Sequence, residues 1–186
     1  MCYRTFFVPA FAVLCSLSSA RAAEFVSSEG FKLTYPENWK SASKDELARS
    51  VTSDPGIVAC ISGSQSENFT PTIKVIIPTP RAMLVPKTEK QTLQEIKDGL
   101  ATPGTMTVPR IKTSHIHING HAAYSIAYEK DDPASKKALR VWTVMLAAKN
   151  GVCIVTCTAL KSQWGEAGPI FKSAINNLKF DGPPAK

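Results

Sequence analysis

The sequence predicts an α+β fold, an antiparallel β-sheet with helices packed on its faces. Three observations lead there. Short runs alternate apolar and polar residues with the period of a half-buried strand. Two Asn-Gly dipeptides, at 119–120 and 150–151, sit between such runs and mark tight hairpins. Two other segments, near 89–101 and following Pro169, carry apolar residues at helical spacing instead.

Taken in order, residues 24–29 form a short lead. Phe31, Leu33 and Tyr35 then share one face of a strand that Pro36 ends, and 37–39 turns. Ser43 and Glu46 stand at capping-box spacing, which predicts a short helix over 44–49. Asp54, Pro55 and Gly56 make a turn before a short apolar strand at 57–62. A further strand at 71–77 is closed by Pro78 and Pro80. Thr88 and Gln91 repeat the capping-box spacing, and Leu93, Ile96 and Leu100 form one helical face, so 89–101 reads as a helix stopped by Pro103 and Gly104. A long strand within 105–118 turns back at Asn119-Gly120 into a strand at 122–129. Residues 130–136 are a polar turn. The strand at 138–148 is apolar on both faces, as expected of a central strand, and Asn150-Gly151 returns it into 152–160. Pro169 is suited to open a last helix, whose buried stripe is Ile170, Phe171, Ala174, Ile175 and Leu178. Lys179 and Phe180 read as a closing edge strand. The resulting order is β-β-β-α-β-β-β-β-α.

The first 22 residues read as an export signal. Arg4 supplies a positive start, residues 5–19 an apolar stretch too short to span a bilayer comfortably, and Ala20-Arg21-Ala22 a small-x-small cleavage pattern. Leu14 stands before Cys15 where a lipidation site wants a small residue, so the expected product is periplasmic or secreted and not lipidated. Cleavage near Ala22/Ala23 leaves one domain over 23–180 and a flexible tail at 181–186, with no later run of 18 apolar residues. The net charge of +7 falls to +5 once Arg4 and Arg21 are removed. The lysines and arginines are scattered, which argues against nucleic acid as a partner. Cys60, Cys153 and Cys157 remain, an odd number in an oxidising compartment. Cys153 and Cys157 lie about 13 Å apart along one strand and cannot pair with each other. A bridge from Cys60 to Cys153 or to Cys157 is open, as is the alternative that all three are small core residues.

Three motifs carry a family resemblance. The first is Gly30-Phe31-Lys32-Leu33-Thr34-Tyr35-Pro36-Glu37-Asn38-Trp39. The second is Ile118-Asn119-Gly120-His121-Ala122-Ala123-Tyr124. The third is Trp164 followed by Phe171 to Phe180, where Asn177 and Leu178 replace a usual Ser-Phe. Their order and spacing resemble the PsbP/DcrB/Mog superfamily over nearly all of 25–180. The resemblance implies a PsbP-like α-β-α sandwich. It also implies a role in binding other proteins or membranes, usually without catalysis: members include extrinsic photosystem subunits, envelope proteins linked to phage uptake, Ran-binding proteins and secretion-system adaptors.

Candidate sites are few. His115, His117 and His121 cluster at one hairpin, and a two-residue loop at 119–120 puts His115 and His117 on one face and His121 on the other. Two histidines are an incomplete metal site unless a carboxylate or a partner chain adds a ligand. No Gly-x-Ser-x-Gly, paired catalytic carboxylates or phosphate loop is present, so neither an enzyme nor a bound cofactor is expected. Trp39 and Trp164 read as caps on the core, and Trp142 as buried beside Val144, Cys157 and Ala159. The proline-bounded loop of Arg81, Met83, Leu84, Val85 and Lys87 is the candidate interaction segment, presenting apolar residues between two cations. The expected function is an exported, non-catalytic accessory protein that meets an envelope or secreted partner, or a membrane surface. Metal binding through His115 and His117 is the alternative, and an unrecognised small-molecule enzyme a second.

Overall fold

The fold is described from a computed structural model, over residues 21–50, 56–77, 112–132, 135–148 and 151–180. The strands are β1 (Ala22–Val26), β2 (Phe31–Pro36), β3 (Lys40–Ser41), β4 (Ile57–Ser62), β5 (Thr72–Ile76), β6 (Lys112–Ile118), β7 (His121–Asp131), β8 (Ala138–Ala148), β9 (Gly151–Leu160) and β10 (Lys179–Phe180). The helices are α1 (Lys44–Ser50) and α2 (Trp164–Asn176). The helix expected over 89–101 and the interaction loop at 81–87 lie outside the described residues.

The strands form two antiparallel sheets where the sequence suggested one. A three-stranded sheet has the order β1-β2-β10, and a seven-stranded sheet the order β3-β4-β5-β9-β8-β7-β6. The supposed lead overlaps β1, which begins two residues before it, with Phe25 opposite Leu33 and Ala22 opposite Pro36. Its five residues alternate in exposure, but two small alanines open it, so the alternation is too weak to read without its partner. β8 is interior as expected, and β9 beside it is the middle strand.

Alternation places Ala59, Ile61, Ile73, Val75, Val155 and Leu146 on one face of the large sheet, all fully buried. α2 packs against this face. Ala167, Phe171, Ala174 and Ile175 are its buried residues, and it contacts β2 on one side and β9 on the other, so one helix joins the two sheets. Phe171 sits at the junction, with Trp39 edge-on at 5.8 Å and Trp164 at 5.4 Å between ring centroids. Trp39 and Trp164 are thus packed on the core.

Four local readings differ in detail. Helix α2 begins at Trp164 and carries Pro169 inside it. The missing proline N–H falls opposite the Gly165 carbonyl, and both residues are exposed, so water can satisfy that carbonyl. Gly151 lies in β9 opposite Ala148 and not in the turn, so the chain crosses over one residue earlier than expected. That moves the register by two and so leaves every side chain on its expected face. Trp142 faces the core side but is only half-buried, and its indole N–H donates to Ser125 Oγ at 2.7 Å. The Cys60 bridge is excluded by parity. Cys60 pairs with Lys74 and Thr156 across the sheet, whereas Cys157 pairs with Ile73, which puts Cys60 on the opposite face from Cys153 and Cys157.

The first capping box forms as read. Ser43 Oγ accepts from the Glu46 N–H at 3.3 Å, and Glu46 Oε2 accepts from the Ser43 N–H at 2.7 Å. The first Asn-Gly reading also holds, where Asn119 and Gly120 have φ of 49° and 83° as a type I′ turn requires. The Asn119 side-chain amide then donates to the Leu178 carbonyl at 2.5 Å, tying the hairpin to the end of α2.

Two predictions follow from this packing. A Cβ added at Gly63 would sit 2.9 Å from the Trp39 ring, itself fixed by Phe171. Gly63→Ala is therefore expected to lower unfolding stability by about 1–3 kcal/mol, read by urea denaturation. The hydrogen bonds from the Ser43 N–H and then its hydroxyl hold the Glu46 carboxyl below its ordinary value. A folded pKa below the unfolded one contributes stability at neutral pH that is lost as pH falls through the folded value. The stability gap between wild type and Glu46→Ala should therefore narrow on acidification through the carboxylate range.

Candidate binding surface

The described residues place the candidate metal ligands on β6, at one edge of the large sheet. His115 stands opposite Tyr124 and His117 opposite Ala122, so the two histidines share a face, and the His117 side chain is exposed. His121 is opposite Ile118 on the other face and is only 5% exposed. Among the described residues, no group of three or more His, Cys, Asp or Glu side chains is placed to hold a metal ion. A site at His115 and His117 would need its further ligands from elsewhere.

The cysteine thiols are buried on β9. Burial pushes the Cys153 thiol up to about 12 and the Cys157 thiol higher still, so neither carries a useful thiolate fraction at neutral pH. They serve as small apolar residues between β8 and β5.

Tertiary structure assembles a feature that the sequence does not show. Three connections meet at one end of the large sheet: 63–71 between β4 and β5, residues 132 and 135–137 between β7 and β8, and 161–163 between β9 and α2. In the first, Ser66 and Phe69 exchange backbone hydrogen bonds at 3.0 and 2.9 Å, and Glu67 and Asn68 hold φ of 52° and 62°. Left-handed backbone is unfavourable for a residue such as Glu, so its neighbours must hold it there. Lys137 Nζ donates to the Glu67 carbonyl at 3.0 Å and meets its carboxylate at 3.2 Å. Gln163 Nε2 donates to the Ser66 carbonyl at 3.0 Å, while its Oε1 accepts from the Leu160 N–H at 3.2 Å. Asp132 Oδ2 in turn accepts from the Ser135 N–H at 2.9 Å and from its hydroxyl at 2.6 Å, shaping the second turn around Lys136, whose φ is 57°.

The result is a firmly tied rim with exposed Gln65, Glu67, Asn68, Lys136, Lys137 and Lys161. Lys161 is paired with Glu129 at 2.9 Å. These pairs are about half-exposed and each is worth at most about 1 kcal/mol, so they order the surface more than they stabilise the fold. Inward of the rim, the Arg140 guanidinium lies 4.9 Å over the Trp164 ring, linking β8 to the start of α2. The rim escaped the sequence reading because its residues come from turns some 70 to 97 positions apart. The only local signal was the polar stretch at 130–136.

This architecture is that of an α+β sandwich with a core built from strand alternation and a charged, turn-built rim. The profile of the PsbP-like protein family matches residues 16–180, and the chain belongs to that family. Solved structures agree in fold. Cyanobacterial PsbP (CyanoP) from Synechocystis superposes with a TM-score of 0.56 at 10% identity, over 89% of this chain and 95% of that one. A Pseudomonas aeruginosa protein of unknown function gives 0.55 at 15% identity, over 87% and 99%. Mycobacterium tuberculosis LpqN, involved in cell envelope biogenesis, gives 0.50 at 14%, over 87% and 91%. No curated protein matches the sequence.

The burial of the two β9 thiols has a direct test. In the native protein Cys153 and Cys157 should resist a soluble thiol reagent at pH 8, and both should react on unfolding in urea. Rapid native labelling of either would contradict their placement.

Proposed function

We propose that this chain is an exported accessory protein of the cell envelope that works without catalysis, by binding another envelope or secreted protein through its surface. The observation that carries the reading is the three-turn rim. It sets charged and polar groups in fixed positions on strained, mutually tied turns, which is how a fold presents a recognition surface at low conformational cost on binding. The buried thiols, held protonated inside the sheet, do not offer a nucleophile. Family membership favours an accessory role, and the likeness to LpqN, a protein of cell envelope biogenesis, agrees with an envelope setting. The amino-terminal signal pattern supplies the route.

Site-specific photo-crosslinking in cells tests this reading. Crosslinkers replacing Asn68 or Lys136 on the rim should capture one dominant envelope protein, identified by mass spectrometry. A crosslinker at exposed Lys172 on α2 should capture it much less. Capture of lipid alone would point to a membrane surface, and no specific capture from the rim would overturn the proposal.

A further inference from the structure

The signal-type cleavage pattern and the first strand of the fold overlap. Ala20-Arg21-Ala22 directs cleavage to the Ala22–Ala23 bond, yet β1 already starts at Ala22. In the folded chain Ala22 lies opposite Pro36 and Ala23 opposite Tyr35, and the Arg21 carbonyl accepts from the Glu37 N–H at 2.9 Å. Two residues further on, Phe25 packs its ring 5.9 Å from that of Phe31, a fully buried core residue. The bond to be cut is thus held on both sides by contacts of the folded domain.

We infer that cleavage at Ala22–Ala23 and closure of the small sheet exclude one another, so that the leader is removed only from a chain whose β1 has not yet docked. The inference rests on the export reading above. Proteases bind the scissile segment as an extended strand through its backbone N–H and C=O groups and draw it into a cleft. One edge of β1 is occupied by β2, and Phe25 anchors its carboxyl-terminal part. Residues 21–25 must therefore peel from β2 before they can enter. Cleavage of a protected site of this kind follows the population of the opened state. Hydrolysis then adds water across the bond: Ala22 leaves with the new carboxylate, and Ala23 keeps the new amino terminus. Only the first pair of the β1–β2 ladder is lost, and Phe25 opposite Leu33 remains to close the sheet. If folding comes first, the apolar stretch at 5–19 stays attached within a few residues of the sheet.

The test uses the full 186-residue precursor and a bacterial signal peptidase in detergent, with mass spectrometry of the amino terminus. One sample is diluted from urea directly into the enzyme; the other is refolded first. The first should be cut to a chain starting at Ala23, and the second should be cut at least about tenfold more slowly. Phe25→Ala removes the ring that anchors β1 on Phe31, and its refolded precursor should regain cleavage. Equal rates for the two wild-type samples overturn the inference and leave the export reading standing. Cleavage of neither sample overturns both.

Discussion

The fold depends on one side chain more than any other, Phe171 on α2. A sheet whose three strands have only 5, 6 and 2 residues buries little apolar surface alone, and so does a single 13-residue helix. Phe171 lets each supply what the other lacks. Its ring is fully buried between Trp39, which follows β2, and Trp164, which opens α2, while the rest of the helical stripe covers the middle of the large sheet. Two glycines around it follow from this: Gly63 has no side chain because Trp39 lies against it, and Gly168 none because the Trp164 indole does. Asn119 secures the far end of the same helix by bonding the carbonyls where α2 stops.

A core of this kind leaves its chemistry at the margins. The sheet interior holds its two thiols protonated and packed, which removes reactivity where a reactive group would be costly. The rim sets polar groups on turns, and there the molecule accepts left-handed backbone at Glu67, Asn68 and Lys136. Such conformations persist only when their surroundings fix them. Lys137 and Gln163 do so from two other turns, so the rim is ordered by the same closure of the sheet that orders the core. Under the binding role proposed above, that coupling would set the rim's polar groups in place before a partner arrives.

Much of this was legible in the chain itself. The strands at 57–62 and 138–148 have the bounds read from the sequence, the first capping box forms with both of its hydrogen bonds, and the Asn119-Gly120 turn has the backbone it requires. The family motifs gave the PsbP-like sandwich, and the family match and the structural neighbours agree with it. The separation of His121 from the other two histidines also follows from parity at one turn. These features depend on residues within a few positions of one another, where sterics, capping and side-chain period act locally.

What the sequence left open depends on which distant segments meet. Whether Cys60 can reach Cys157 turns on the face each strand presents across β5, not on any spacing along the chain. β1 became a strand because β2 offered it an edge and Phe31 a place for Phe25. Pro169 could lie inside α2 because the helix began five residues earlier, on Trp164 packed beneath Arg140. The rim exists only where three turns are brought together by sheet order. Local rules determined the elements and their faces; the tertiary structure decided their partners, because pairing and burial are settled by contacts between residues far apart in the chain.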